Sequence, residues 1–404
     1  MSQQRLEEAA AAGAFVFSVA GLFSIALSHL ALGLTLALLL ASRKRWRMPS
    51  IALPLGLFLG WTIVSAIANG HFAEAAPQFK KFYVFLALPV AYTLFDSTDR
   101  RRRLLQGWFV ACFIAIAVGV AQFAVRVLAA RAAGVDFGTF YAPDRITGFF
   151  SHWMTFSQAG LLVFLALVAS LLFGTSVRRA MWTWRAVAVC LAAGLVLTFT
   201  RSVWLALLAL AAYFVAQARP KLLWLAPIGV VALLAASPAA LQQRVRSIGD
   251  ASANAGRLLM WKTGARMIED HPLFGVGPER VGPLFRDYLD PDVTELPPAY
   301  YGHLHSIYVH FPAERGLPAL LFLLWLLGKI LLDHARALRR TPPGRSDDRA
   351  AIQAGLAGTL AVLVVGAFDV TLGDSEVLAL WLTLIAVGYA AQRTDSEPLR
   401  DHAV

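Results

Sequence analysis

A succession of apolar runs is the feature that most constrains the fold of this 404-residue chain. An α-helix needs about 20 mostly apolar residues to cross the hydrocarbon core of a bilayer. The runs that approach or exceed this length are Ala9–Ala41, Ile51–Ala68, Phe82–Phe95, Leu104–Ala130, Met154–Phe173, Trp184–Thr200, Ser202–Ala216, Leu222–Ala236, Leu317–Leu332, Ala350–Val370 and Val377–Ala391. The first is too long for one upright span, so we read it as two short helices joined by a turn at Ser28 and His29. The runs then predict about 12 transmembrane helices in an all-α integral membrane protein.

The composition excludes the soluble alternatives. Hydrophobic residues make up 58% of the chain and charged residues 15%, whereas soluble globular proteins carry about 45–50% apolar and about 25% charged residues. The same proportions exclude intrinsic disorder. The net charge of +11 would indicate nucleic acid in a soluble protein, but in a membrane protein it is expected from Lys and Arg in the cytoplasmic loops. No nucleic-acid partner is therefore predicted.

The basic clusters test the helix count. Each cluster follows an even-numbered predicted helix, so all of them fall on one side of the membrane. They are Arg43–Arg47, Arg100–Arg103, Arg178–Arg185, Arg219–Lys221 and Arg336–Arg349. Because Lys and Arg are enriched in cytoplasmic loops, this alternation predicts that both termini are cytoplasmic.

This topology divides the chain into four parts. We expect transmembrane helices 1–9 in residues 1–236, a large periplasmic loop domain between helices 9 and 10 in 237–316, helices 10–12 in 317–391, and a cytoplasmic tail in 392–404. Inside the loop, apolar residues at helical spacing predict a helix over Leu241–Ile268. The frequent Pro and Gly residues that follow predict ordered turns.

The enrichment of Lys and Arg in cytoplasmic loops does not account for basic residues on the outer side. Arg201 stands in a short turn between two predicted spans, where an Arg costs several kcal/mol unless it is paired or hydrated. It either reaches the outer lipid headgroups or marks a functional site. Further outer cations are candidate ligands, although each alone can equally be solvated or salt-bridged: Lys81, Arg145, Arg257 and Arg266. Together they would suit an anionic ligand, because guanidinium groups bind phosphate in bidentate fashion.

Histidines cluster near the end of the long loop, at positions 303, 305 and 310. A single His there could act as a general base, because its ordinary pKa near 6.5 suits proton abstraction at neutral pH. Structural hydrogen bonding and a metal site are the alternatives, but the spacing differs from the i, i+4 pair of helical zinc sites. The sequence has no GxxxxGK[ST], GxGxxG, HExxH or GxSxG motif, so nucleotide hydrolysis, zinc proteolysis and esterase chemistry lack support. We expect no metal and no cofactor.

Several of these residues stand in a recognisable arrangement. It comprises Gly256-Arg257, Trp261, the run from His271 to Pro278 (HPLFGVGP), and His305-Ser306. The arrangement resembles the O-antigen ligase superfamily, whose ligases carry a His followed by Asn, Ser or Gln, nine residues, and then Gly-x-x-Gly. Nine residues separate His305-Ser306 from Gly316, which matches the first Gly, whereas Ala319 replaces the second.

The resemblance implies an integral-membrane glycosyltransferase of the C type in the inner membrane of a Gram-negative bacterium, with its active site facing the periplasm. The family's ligases transfer O-antigen from undecaprenyl diphosphate to lipid A–core oligosaccharide. The essential His of the family maps onto His305, and its essential arginines look like Arg201 and Arg257. Other residues expected to bind substrate are Arg145, Arg266, Lys81, His303, Tyr301 and Ser306.

Two alternatives to the ligase stay open. An O-antigen polymerase of the same superfamily would use the same donor with a different acceptor. A lipid-linked sugar flippase would perform no chemistry. The proton could be taken by His305 or by an outer carboxylate such as Glu314, and the oligomeric state is not predicted.

Overall fold

A computed structural model describes residues 2–225, 228, 235, 239–247, 249–250, 254–293, 295–297 and 301–393. In this part of the chain the regular elements are α-helices and short 3-10 segments. The helices are α1 (Gln3–Ala20), α2 (Ile25–Ala41), α3 (Ala52–Ala68), α4 (Ala76–Lys81), α5 (Ala87–Leu94), α6 (Thr98–Ala132), α7 (Phe137–Tyr141), α8 (Trp153–Phe173), α9 (Met181–Leu197), α10 (Arg201–Ala218), α11 (Ala239–Arg246), α12 (Ala255–Asp270), α13 (Val281–Leu284), α14 (Ile307–Arg315), α15 (Leu317–Arg340), α16 (Ser346–Gly366) and α17 (Ser375–Gln392).

Seven helices of the described chain are long and apolar enough to cross a membrane. They are Thr98–Ala132, Trp153–Phe173, Arg178–Leu197, Arg201–Ala218, Leu317–Arg340, Ser346–Gly366 and Ser375–Gln392. The apolar helices α2 and α3 are shorter. The prediction of an all-α, multi-pass membrane protein is confirmed, whereas the count of 12 spans stays a prediction. Most of the predicted helix Leu222–Ala236 lies outside the described residues.

Two predicted boundaries in the first hundred residues are wrong. The first turn lies between α1 and α2 at residues 21–24, where Gly21 ends α1 and the Ser24 hydroxyl accepts a hydrogen bond from Leu27 N at 3.4 Å. The run Phe82–Phe95 is a 3-10 segment followed by the separate helix α5. Pro89 stands in the first turn of α5, where its missing N–H costs nothing, but it cannot donate to the carbonyl four residues earlier.

The predicted helix over Leu241–Ile268 is also wrong as a single element. Two helices cover this range, α11 ending at Arg246 and α12 beginning at Ala255. Between them the sequence is rich in Gly, Ser, Asp and Asn (residues 247–254), which have low helix propensity and compete with the helix by side-chain hydrogen bonding.

Three helices form the enclosed centre of the bundle: α8, α16 and α17. The helices that pack on this centre include α5, α10 and α15. The facing sides of α16 and α17 carry small residues, among them Gly355, Gly358 and Gly388, which let helix backbones approach closely in a membrane. The turn between α16 and α17 and the start of α8 therefore meet at one place. The predicted topology puts this end of the bundle on the outer side of the membrane, and it is called the outer end below.

The HPLFGVGP loop fixes the short helix α14 from its far end. Val276 N donates to Ala313 O and Gly277 N donates to Glu314 O, both at 2.9 Å. The Trp61 indole N–H donates to Arg315 O at 2.9 Å. These bonds occupy the last carbonyls of α14, which have no partner within the helix. The loop thereby sets the position of α14, which begins two residues after His305.

Gly316 joins α14 to α15 in a conformation that only glycine adopts easily. Its φ is +82°, and a Cβ at this position would overlap the Leu273 carbonyl oxygen. The second glycine of the family pattern, here Ala319, lies inside α15 with no positive φ. An L-residue is acceptable there because the helical conformation imposes no strain. The departure from the pattern at Ala319 is therefore structurally tolerated.

We expect Gly316→Ala to destabilise the protein by about 3 kcal/mol or more, because a steric overlap adds to the cost of a positive φ. The measurement is thermal unfolding in detergent followed by tryptophan fluorescence. Gly328→Ala is the matched control, since this α15 glycine has no atom within 4 Å of an added Cβ. An equal melting temperature for Gly316→Ala and Gly328→Ala would contradict the prediction.

Candidate active site

A cavity of about 920 Å³ opens where the outer ends of the central helices meet. Its size is within the range of sites that bind drug-sized or larger ligands. Of the nine residues predicted to be catalytic or to bind substrate, five line this cavity: Lys81, Arg201, Arg257, His303 and His305. Glu314 and His310 also line it. They come from parts of the chain that are distant in sequence, so the fold brings together the cations and the histidines as predicted.

His305 is paired with a carboxylate from the turn between α16 and α17. Its Nδ1 atom is buried and lies 3.5 Å from Asp369 Oδ1, within ion-pair distance, and it has no hydrogen-bond partner among the described residues. Asp369 is itself oriented, because Gln158 Nε2 of α8 donates to Oδ2 at 2.5 Å. A proton on Nδ1 facing Asp369 leaves Nε2 of His305 as an acceptor.

The charge state of Asp369 supports this pairing. Burial alone would raise the pKa of Asp369, but the His305 contact, the charges of both neighbouring histidines and the Gln158 hydrogen bond lower it below its usual value. The carboxylate is therefore ionised at neutral pH and can stabilise an imidazolium on His305. His305 also has φ of +47°, a conformation that costs energy for a non-glycine residue and is common at functional sites.

His303 faces the same cavity in a neutral form. Its Nδ1 atom accepts a hydrogen bond from the His305 backbone N at 3.3 Å. Burial and the neighbouring His305 lower the pKa of His303 to about 3. One ligand atom from each of His303, His305 and Asp369 lies within 4.8 Å of the other two, so these groups could hold a cation. The hydrogen bond to His303 Nδ1 and the ion-pair contact of His305 Nδ1 with Asp369 hold these side chains together without a cation.

Arg201 and Arg257 supply the positive charge of the cavity. Arg201 begins α10 and donates to Ser247 O at 2.6 Å and to Asn254 Oδ1 at 2.9 Å. Within the described residues, neither arginine forms an ion pair with a carboxylate. Burial lowers the pKa of Arg257, and the nearby Asp369 acts in the opposite direction. Both guanidinium groups are therefore available to an anionic ligand, and the positive end of the α10 dipole adds to the attraction.

Two further arginines stand behind this pair. Arg145 stacks on the ring of Trp153, with its guanidinium carbon 4.9 Å from the ring centroid. Arg145 and Arg244 both donate to Phe199 O at 3.4 Å. Burial and the adjacent Arg244 lower the pKa of Arg145 to about 10, so it keeps its charge at neutral pH. Arg145 is absent from the cavity lining, and we assign it to orienting Trp153 and extending the positive field.

Glu314, the alternative proton acceptor, is already fully engaged. It is 1% exposed, and its Oε1 atom accepts from Glu279 N at 2.8 Å. The Arg315 Nε atom donates to its Oε2 atom at 2.9 Å. Because both oxygens are occupied, the geometry favours His305 over Glu314 as the base.

Besides Arg145, three residues predicted to bind substrate do not line the cavity, and their role stays a prediction. Arg266 lies in a separate outer groove and pairs with Asp290 at 2.7 Å. Tyr301 donates its hydroxyl to Pro297 O at 2.5 Å. Ser306 is buried and its hydroxyl caps α14 by accepting from Tyr308 N at 3.3 Å. Each side chain satisfies a local structural need instead.

Several residues of the site were not predicted. They are Asp369, Asp374, Gln158, Arg244 and His152. His152 lines the cavity, and its Nδ1 atom caps α8 by accepting from Met154 N at 3.2 Å. The sequence indicated Gln158 in one way only, by placing a polar residue inside a predicted span. Polar side chains inside membrane helices usually have a partner.

The fold and the cavity together define a multi-pass membrane protein with one cavity lined by arginines and histidines. Residues 186–324 match the family model described as O-Antigen ligase. This match confirms the resemblance drawn from the sequence motifs and supports placement of the chain in the bacterial O-antigen ligase and polymerase superfamily, whose members are glycosyltransferase-like enzymes of lipopolysaccharide synthesis. No curated protein matches the chain. The matched segment contains Arg201, Arg257 and His305, whereas Asp369 lies beyond it.

Proposed function

We propose that the protein is an O-antigen ligase that transfers a glycan from undecaprenyl diphosphate to a sugar hydroxyl of lipid A–core oligosaccharide. The observation that carries this proposal is one cavity in which the Asp369–His305 pair lies beside Arg201 and Arg257. A lipid diphosphate is a good leaving group and needs no nucleotide. The site fits that chemistry, because it offers a base and fixed cations in one enclosure.

In the proposed reaction, His305 Nε2 accepts the proton of the acceptor hydroxyl as its oxygen attacks the anomeric carbon. The bond between that carbon and the diphosphate oxygen breaks, and the electron pair leaves with the undecaprenyl diphosphate. Arg201 and Arg257 stabilise the negative charge that develops on the leaving group. Direct displacement inverts the anomeric centre. Ionised Asp369 holds the His305 imidazolium until its proton is lost to solvent.

Purified protein, mixed with undecaprenyl-diphosphate glycan and lipid A–core in the presence of EDTA, tests the proposal. Glycan on lipid A–core supports the ligase and a mechanism without a dissociable metal. Longer carrier-linked glycan alone would replace it with the polymerase. Movement of the carrier across liposomes without any transfer would show a flippase. Loss of transfer in EDTA that returns with a divalent cation would assign the His303–His305–Asp369 group to a metal.

The proposal includes an orientation in the inner membrane, with the cavity on the periplasmic side and both termini in the cytoplasm. It rests on the basic clusters, which the predicted topology places opposite the cavity. Single cysteines introduced into protein without Cys112 and Cys190 test it by labelling in intact cells. A cysteine at Asp287, which is exposed on the outer groove, should react with an impermeant maleimide, and one at Arg340 should not.

We expect Arg257→Ala to lower kcat by about 10²–10³-fold, the loss measured when one donor to a developing negative charge is removed. Arg257→Lys should recover only part of this, because an ammonium cannot make the bidentate contact. Arg201 should behave similarly. Initial rates over a donor concentration series measure the effect. Arg266→Ala is the control, and a loss as large as that of Arg257→Ala would contradict the assignment.

A further inference from the structure

Asp374 is a carboxylate of the cavity that the proposed reaction does not use. It stands directly before α17, at the position where an Asp side chain usually accepts a hydrogen bond from the first turn of the helix. No such bond forms here. Instead, Asp374 Oδ2 accepts a hydrogen bond from the Thr155 hydroxyl of α8 at 2.7 Å. The side chain is therefore held against α8 and is not turned back onto its own helix.

The second carboxylate oxygen, Asp374 Oδ1, is left for a ligand. Within the part of the chain that the structure describes, it has no hydrogen bond and no ion pair, and it is accessible. Because Asp374 is half-buried in the wall of the cavity, leaving this oxygen without a hydrogen bond costs free energy. A carboxylate oxygen accepts from a hydroxyl or an N–H group, whereas it repels a phosphate oxygen.

His152 supplies a donor on the same side of the cavity. Its Nδ1 atom accepts a hydrogen bond from Met154 N at 3.2 Å, and burial lowers the pKa of its ring. In the neutral imidazole the proton therefore lies on Nε2, which can donate. His152 and Thr155 are three residues apart at the start of α8, so they are neighbours on its surface. A fixed acceptor beside a fixed donor suits a sugar hydroxyl, which both donates and accepts.

The distance from Asp374 to the reacting groups suits one sugar ring. Thr155 holds Asp374. Gln158, three residues further along α8, donates to Asp369, and Asp369 in turn faces His305. Residues three apart on a helix are separated by about 4.5 Å along its axis, which is close to the width of a pyranose ring. A ring that reacts beside His305 can thus present one of its hydroxyls to Asp374.

We propose that Asp374 accepts a hydrogen bond from a ring hydroxyl of the sugar next to the reacting atoms. Thr155 is its positioning residue, and His152 is the donor beside it. This inference rests on the proposed function and extends it to recognition of the sugar. The sugar is either the first residue of the donor glycan or the accepting residue of the core, and the experiment separates these two sources.

Equilibrium binding to the full-length protein in nanodiscs, with EDTA present, tests the proposal. The parent probes are an undecaprenyl-diphosphate monosaccharide and a lipid A–core glycolipid. Each has a set of analogues in which one ring hydroxyl of the reacting sugar is replaced by hydrogen. Asp374→Asn should weaken binding of one parent probe about tenfold or more, the usual contribution of a hydrogen bond to a charged group. The Thr155 hydroxyl still donates to the Asn oxygen, so the NH2 group faces the cavity and cannot accept.

One deoxy analogue should locate the contact. It should bind the wild-type protein about tenfold more weakly than its parent and lose nothing further in Asp374→Asn, because both changes remove the same hydrogen bond. An analogue from the donor set assigns Asp374 to the transferred sugar, and one from the acceptor set assigns it to the accepting sugar. Thr155→Val should give a smaller loss for the same parent probe. Glu376→Gln is the matched control, since this carboxylate does not line the cavity.

Two results would overturn the proposal. One is binding of both parent probes by Asp374→Asn with wild-type affinity. The other is a loss in Asp374→Asn that persists undiminished with every deoxy analogue. If Asp374→Asn does not fold, equal affinity of the wild-type protein for the parents and all analogues refutes the contact. Because binding is measured without transfer, a wild-type protein that transfers nothing to lipid A–core refutes the proposed function, and the binding series still decides the role of Asp374.

Discussion

Replacing His305 with Ala should reduce glycan transfer by at least about 10²-fold and leave the protein folded. Positioned general bases contribute about 10²–10⁴-fold. His310 also lines the cavity, but it is buried and its Nε2 atom faces Glu314 Oε1 at 3.8 Å. His303 is held neutral with its Nδ1 atom engaged, and Glu314 is enclosed by Arg315 and the Glu279 amide. The loss should fall on kcat, because the base acts on the attacking hydroxyl and not on donor binding.

Initial rates at saturating donor and acceptor measure this effect. His271→Ala is the matched control, because this exposed histidine belongs to the HPLFGVGP run but does not line the cavity. Size-exclusion behaviour and thermal unfolding of both variants confirm that they fold. Near-normal transfer by His305→Ala would remove this residue from the base role and return attention to the outer carboxylates.

The sequence was most informative about features that depend only on contiguous residues. Crossing a bilayer requires a contiguous apolar segment, so helices such as α8 and α16 could be located from composition alone. Their ends were placed within a few residues. The failures came from local backbone chemistry, as at Pro89, where a continuous apolar run folds as a 3-10 segment and a new helix. The apolar character of a segment does not determine which hydrogen bonds its backbone makes.

The residues of the cavity that were predicted from sequence are outer cations, members of the histidine cluster or members of the family pattern. His305, Arg201 and Arg257 were proposed from the family pattern and converge on one cavity. Asp369 could not be assigned, because no spacing rule links the turn between α16 and α17 to a loop residue so far away in sequence. Tyr301 illustrates the opposite error, since proximity to His305 in sequence does not determine which way a loop side chain points.

The backbone on both sides of α14 supports the proposed catalytic role of His305. His305 occupies a strained backbone conformation directly before α14, and the other end of α14 is fixed by the HPLFGVGP loop and Gly316. The HPLFGVGP residues do not line the cavity, so we expect them to act on the proposed reaction through the position of α14. The glycines of the HPLFGVGP run and Gly316 can therefore belong to the same family pattern as His305 although they lie away from the arginines.

Asp369→Asn should lower kcat by about 10²–10⁴-fold with little change in donor KM. The neutral amide cannot stabilise the imidazolium that forms on His305, and its NH2 group can face Nδ1 and stabilise the wrong tautomer. An Asp to Asn change at the equivalent position of a hydrolytic triad costs about 10⁴-fold for this reason. Asp369 is 6% exposed, so its substitution also affects the stability of the protein.

Steady-state rates and thermal unfolding separate the two effects. Asp287→Asn, at an exposed carboxylate of the outer groove, is the control for a change of one negative charge on the same side. Gln158→Ala should give a smaller loss of the same kind, because Gln158 orients Asp369 through one hydrogen bond and does not touch His305. A double variant Asp369→Asn, His305→Ala no slower than His305→Ala alone would show that the two residues act as one unit. Fully additive losses would mean that Asp369 serves the reaction by a route other than His305.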